Sequence, residues 1–188
     1  EVLVRAFALI ASAVPDWTVR IFGHGPLEDD LIGLIDELDL GARVFLMGQS
    51  DQIPKELARA KVMVLPSLHE GFPLVIGEAA ISGVPTIGFS DCSGVNRLIS
   101  HEINGLLVDT DPDDRVSELS KAMLQLATNE ELRKRLSAEA KNIAETGEYS
   151  PGQVFGRWSE LVQKVAKQRG RDGKLKKLPG LANVSSPA

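Results

Sequence analysis

One cysteine, Cys92, stands in a chain of 188 residues, so no internal disulfide can form and a reducing compartment is the default. No apolar run approaches the eighteen or so residues of a membrane span, and the opening residues carry no basic-then-apolar leader. The body of the chain has no surplus of cations either. The net charge is −5; residues 167–188 carry six Lys or Arg against Asp172, which leaves −10 on residues 1–166. An acidic body of that size argues against a nucleic-acid partner. The three histidines, His24, His69 and His101, have no metal-ligand spacing, so no metal site is expected and all three read as exposed loop residues. Gly23-His24-Gly25 lacks the third glycine of a dinucleotide fingerprint, because Glu28 stands there, and no acid ends the strand about twenty residues on. Gly48-Gln49-Ser50-Asp51-Gln52 fails the nucleophile-elbow pattern at its last position.

What is present is alternation. At 43% hydrophobic and 25% charged residues, the chain suits a single soluble domain with a proper core. Val2, Leu3, Phe7, Ile10, Ala11 and Val14 share one helical face. Strands are expected at Thr18–Phe22, Arg43–Met47, Lys61–Leu65, Val84–Phe89 and Leu106–Val108, with helices between them. Asp111-Pro112-Asp113-Asp114 opens a helix, and capping boxes at Thr128–Glu131 and Ser150–Gln153 open two more, ending near Thr146 and Ala166. Phe155, Trp158, Leu161, Val162 and Val165 form an apolar stripe on the last of these. The reading is an α/β fold, a Rossmann-like parallel sheet with helices on both faces and a helical C-terminus. Residues 1–166 form the domain and residues 167–188 a basic, disordered tail. A chain that opens inside a helix, with neither Met nor a preceding strand, is expected to be part of a longer polypeptide.

The chemistry concentrates at Leu65 to Pro85. A strand runs into a Gly-containing loop, and a helix follows whose limits are marked by Pro73 and Gly83. Glu78 is the lone charge on a helix of Leu, Val, Ile, Ala and Gly, which reads as buried on nearly every side. Glu70 precedes the same helix by a few residues. Free backbone N–H groups at a helix start bind phosphate, and flanking carboxylates accept hydrogen bonds from hydroxyls. Pro73 has no N–H, so Gly71, Phe72, Leu74 and Val75 are the donors. In parallel sheets ligands bind beyond the carboxyl ends of the strands, which places Gly23–Gly25, Met47-Gly48, Glu70–Phe72 and Ser90-Asp91 in one crevice.

These residues resemble a known family. Glu70-Gly71-Phe72-Pro73-Leu74 with Glu78-Ala79 and Gly83-Val84-Pro85 is similar to the Glu-x7-Glu motif of retaining, nucleotide-sugar-dependent glycosyltransferases of the GT-B fold, family 4 in particular. Gly23-His24-Gly25-Pro26, Val44–Gly48 and Asn104–Val108 fall in the family's order, from about residue 1 to about 166. The resemblance implies the donor-binding half of an enzyme that moves a sugar from a nucleotide diphosphate to an acceptor hydroxyl, without a metal or other cofactor, in polysaccharide or glycoconjugate synthesis. It implies that Glu78 holds the ribose hydroxyls, and that Glu70 lies near the transferred sugar and the leaving phosphate as the catalytic candidate. Gly71, Phe72, Leu74 and Val75 act through their backbone, Gly23, Gly25, Met47 and Gly48 belong to the donor site, and Phe45, Leu46 and Met47 edge the nucleobase; without the resemblance those last three are ordinary strand core.

Three parts of the family pattern are missing from this chain: the first strand, the Gly-Arg and Lys that clasp the diphosphate, and the N-terminal acceptor-binding domain. The fragment alone is therefore expected to lack transferase activity. The missing strand belongs between Thr18–Phe22 and Lys61–Leu65, so those two either pair directly or leave a poorly filled gap. The expected setting is cytoplasmic, with peripheral association of the full enzyme at the inner face of a membrane as a further option. The alternative function is a non-catalytic α/β module that binds nucleotide sugars or a partner.

Overall fold

The computed structural model describes residues 1–109, 111 and 113–172, with side chains through Lys167. Its elements in order are α1 (Val2–Ile10), β1 (Val19–Phe22), α2 (Glu28–Glu37), β2 (Val44–Gly48), α3 (Ile53–Arg59), β3 (Met63–Leu65), α4 (Leu74–Ile81), β4 (Thr86–Phe89), α5 (Ser93–Asn96), β5 (Gly105–Val108), α6 (Arg115–Thr128), α7 (Glu130–Thr146) and α8 (Pro151–Asp172). Strands alternate with helices through β5, and every strand pair is parallel. Side-chain caps mark the starts of α7 and α8, whereas α1 to α6, including α6 after residues 111–114, begin with no side-chain cap hydrogen bond. Asn129 caps α7 by accepting from the Leu132 N–H at 2.9 Å, and the Ser150 hydroxyl accepts from the Gln153 N–H at 3.4 Å as α8 begins. Thr128, expected in the first of these caps, instead closes α6 by donating to the Leu124 carbonyl. Helix α8 runs on to Asp172, past the end expected near Ala166. The remainder of the expected tail, residues 173–188, lies outside the described residues.

The five strands form two sheets, β1-β2 and β3-β4-β5, rather than one. Strand β4 is buried along its whole length, as the central strand of its sheet must be. Strands β1 and β3 do not pair. Between them lies a cavity of about 500 Å³ walled by Val19 of β1, Val62 and Val64 at β3, Phe7 and Ile10 of α1, and Met123 of α6. Of the two outcomes open for these strands, the gap is the one realised. Side-chain packing from beneath joins the halves: one contiguous core runs from Val4, Phe7 and Ile10 through Val44, Ile87 and Phe89 to Leu106, Leu119, Leu126 and Leu136.

Helix α4 corrects a second expectation. It is not buried on nearly every side. Ile76 and Ala79 face inward, whereas Leu74 and Ile81 are 70% and 64% exposed and Gly77 and Glu78 are exposed with them. Those four positions are spaced i, i+3, i+4 and i+7, which is one helical face. Helix α4 rests on α7, α3 and β4 through its other side. The Glu78 carboxylate therefore remains in solvent and bears no desolvation cost.

Candidate functional site

The site begins where β3 ends. After Leu65 the chain passes through a loop to Pro73, which caps α4 in an extended conformation, φ −73° and ψ 100°. The first helical hydrogen bond comes from the Ile76 N–H to the Pro73 carbonyl at 3.1 Å. The N–H groups of Gly71, Phe72, Leu74 and Val75 donate to no acceptor among the described residues. Phe72 is held from outside, its ring meeting that of Tyr149 edge-on with centroids 5.1 Å apart. Four unsatisfied donors at the positive end of an exposed helix start form a place for an anion.

Glu70 stands on this loop, half-buried, in the wall of a pocket of about 410 Å³ that it shares with Leu68, His69, Gly71, Asp91 and Ser93. The second half of the wall comes from the turn after β4. Close approach holds it there. A Cβ built on Gly94 would lie 2.4 Å from the Glu70 carbonyl oxygen and 2.9 Å from that of Gly71, so only glycine lets α5 touch this peptide. Asp91 is fixed in turn by Arg115, whose Nη2 lies 3.1 Å from its Oδ2. Neither the Glu70 nor the Glu78 carboxylate forms an ion pair among the described residues. No structural salt link among those residues ties Glu78 up elsewhere.

The other candidates form a separate cluster on the two-stranded sheet. Gly23, at φ 119°, donates its N–H to the Gly48 carbonyl at 2.8 Å, and Gly48 itself sits at φ 64°. Beyond them the Gln49 side-chain amide donates to His24 Nδ1 at 2.9 Å and ties the two loops together. Gly25 is exposed with open space around its Cα. Phe45 and Met47 are 40% and 41% exposed. Ordinary strand core, the other reading of these residues, holds for Leu46, which packs on the core, and is corrected for Phe45 and Met47.

The expectation of one crevice is met only in part. The pocket unites Glu70 and Gly71 with Asp91, but Phe72, Ser90, Glu78, Gly23, Gly25, Met47 and Gly48 are not in its wall. The gap between the half-sheets accounts for the last four. His101, expected in an exposed loop, is exposed and accepts the Leu107 N–H on Nδ1 at 3.0 Å. Sequence reasoning placed Asp91 at a strand end without singling it out, and passed over Ser93, Gly94, Arg115 and Tyr149. The Ser-Gly pair after a turn was the only local signal. Among the described residues no group of three or more His, Cys, Asp or Glu is arranged to hold a metal ion. No helix among them is long and apolar enough to cross a membrane.

Comparison with known proteins gives a consistent answer. The model of the family described as glycosyl transferases group 1 matches residues 1–143. An exopolysaccharide phosphotransferase of Streptomyces coelicolor is 34% identical over 167 residues, covering 88% of this chain and 17% of its own length. A poly(glycerol-phosphate) alpha-glucosyltransferase of Bacillus subtilis is 26% identical over 182 residues, 97% of this chain and 26% of that protein. Among solved structures, the pneumococcal O-GlcNAc transferase GtfA in complex with UDP and GlcNAc superposes with a TM-score of 0.79 at 25% identity. The overlap is 88% of this chain and 33% of that one. The chain thus spans a third or less of the length of these three relatives.

Proposed function

Because the chain belongs to the glycosyl transferases of group 1, we propose that it is the donor-binding part of a longer, retaining glycosyltransferase of family 4 type, acting in polysaccharide or glycoconjugate synthesis. The observation that carries the reading is the run of unsatisfied N–H groups on Gly71, Phe72, Leu74 and Val75, directly beside the pocket that Glu70 lines. The diphosphate of a nucleotide sugar sits at the start of α4, the ribose hydroxyls reach Glu78, and the sugar enters the Glu70 pocket. GtfA is solved with UDP and GlcNAc, which makes a UDP-sugar the first donor to test.

In the reaction the anomeric carbon exchanges its bond to a diphosphate oxygen for one to an acceptor hydroxyl oxygen, whose proton is lost, and the new bond forms on the face the old one left. Negative charge grows on the departing diphosphate. Donors already aimed at that position stabilise the transition state more than the bound substrate. We propose that backbone N–H groups and protein cations, rather than a metal, meet that charge. The acceptor-binding domain is supplied by the rest of the polypeptide, and residues 1–188 alone are inactive in transfer. The full enzyme works in the cytoplasm, in peripheral contact with a membrane.

Titration calorimetry with UDP and UDP-sugars tests the reading. The chain binds them weakly, and Glu78→Ala loses that binding. Binding that survives Glu78→Ala undiminished transfers the reading to a non-catalytic module that uses another surface.

A further inference from the structure

We propose that Asp91 selects the charge of the transferred sugar, so that the Glu70 pocket accepts a neutral, hydroxyl-bearing sugar and rejects a uronic acid. This rests on the Glu70 loop being the donor site. The argument starts from the wall: Leu68, His69, Glu70, Gly71, Asp91 and Ser93 include two carboxylates and no Lys or Arg. The Arg115 guanidinium pairs with this wall at Asp91. Arg115 binds Asp91 Oδ2 at 3.1 Å and lies over the Phe89 ring with Cζ 5.5 Å from the centroid. Its side chain is only 18% exposed, against 44% for Asp91. The guanidinium therefore fixes the Asp91 carboxylate from behind, while the open side of that carboxylate remains at the pocket.

Gly94 completes the device. Its contact with the Glu70 and Gly71 carbonyls holds the Asp91–Ser93 turn at a set distance from Glu70. A sugar between the two walls meets acceptor oxygens from both sides and the Ser93 hydroxyl between them. Hydroxyl groups donate to such oxygens. A carboxylate on the sugar has nothing to donate and meets two like charges, of which Arg115 offsets one. Discrimination of this kind works by repelling the wrong ligand, not by adding a contact to the right one.

Calorimetric titration of the whole chain with UDP, UDP-glucose and UDP-glucuronate provides the test. UDP-glucuronate binds at least about tenfold more weakly than UDP-glucose, as expected for one uncompensated like charge a few ångströms away in a partly solvated site. The isosteric Asp91→Asn narrows that difference to about threefold or less and leaves UDP affinity unchanged. Equal wild-type affinities for the two sugars overturn the proposal, and so does a gap that persists in Asp91→Asn. If Asp91→Asn lowers the melting temperature and UDP affinity together, the residue is structural and the proposal also fails. These outcomes leave donor binding intact, whereas failure of the wild type to bind UDP at all removes the proposal and the donor-site reading together.

Discussion

Substituting Gly94 by alanine places one methyl group where the molecule has no room for it. The added Cβ would lie 2.4 Å from the Glu70 oxygen, 2.8 Å from its carbonyl carbon and 2.9 Å from the Gly71 oxygen. Ordinary contact begins near 3.4 Å, so relief requires a movement of about 1 Å. All three obstructing atoms belong to the backbone, so no rotamer change supplies that movement. Either the α5 turn leaves the core or the Glu70 loop leaves the pocket. Overpacking of this kind costs about 1–3 kcal/mol, which for a domain of this size lowers the melting temperature by about 2–12 °C. Displacing Glu70 and Gly71 by about 1 Å also disturbs the proposed anion cradle, and displacements of that size cost on the order of 100-fold in a catalytic rate. The matching experiment is thermal unfolding of Gly94→Ala beside Gly77→Ala, with UDP-glucose titrations of Gly94→Ala and the wild type. Nothing lies within 4 Å of a Cβ on Gly77, and alanine is favoured over glycine inside a helix by about 0.5–1 kcal/mol. Gly77→Ala is therefore the more stable protein and Gly94→Ala the less stable one, with UDP-glucose affinity down at least about tenfold. Wild-type melting and wild-type affinity in Gly94→Ala would refute the argument that this contact positions Glu70.

Two further outcomes follow from the fold. Asn129→Ala removes the acceptor for the Leu132 N–H and destabilises the chain by about 1 kcal/mol in a denaturant melt; a change under about 0.3 kcal/mol would show that the cap is not formed. Hydrogen exchange tests the break between the sheets. The amides of Val19 and Met63 donate to Arg43 and Pro85 at 2.8 and 3.0 Å, so the next amides, Arg20 and Val64, point into the gap by the alternation of a strand and exchange much faster than Ile87 in the central strand. Equal protection at Arg20, Val64 and Ile87 would mean a continuous sheet.

How far the fold could be read depended on the range of the signal. Caps are local, which is why Ser150 and Asn129 begin helices where side-chain chemistry indicates, and why Gly83 follows α4 in the left-handed region at φ 68°. The exposure of α4 is a different matter. A helix apolar at almost every position has no periodicity to show which face is covered, and only the placement of α3, α7 and β4 decides that Leu74, Glu78 and Ile81 face solvent. Within the site, the Glu70 loop announces itself through Gly71, Pro73 and the strand before it. Asp91 and Gly94 are about twenty residues farther along the chain, and they reach Glu70 only because β3 and β4 are neighbours in register, Leu65 beside Gly88. The separation of Gly23 and Gly48 from that pocket follows from a gap between sheets, which the missing strand left as one of two outcomes and which only the packing of the whole chain decides.

The central claim is that the free N–H groups at the start of α4 receive a diphosphate. Amide chemical shifts recorded while UDP is added to the chain test it residue by residue. The account predicts saturable shifts concentrated at Gly71, Phe72, Leu74 and Val75. Shifts that leave those four amides in place while moving others, or no saturable shifts at all, contradict it.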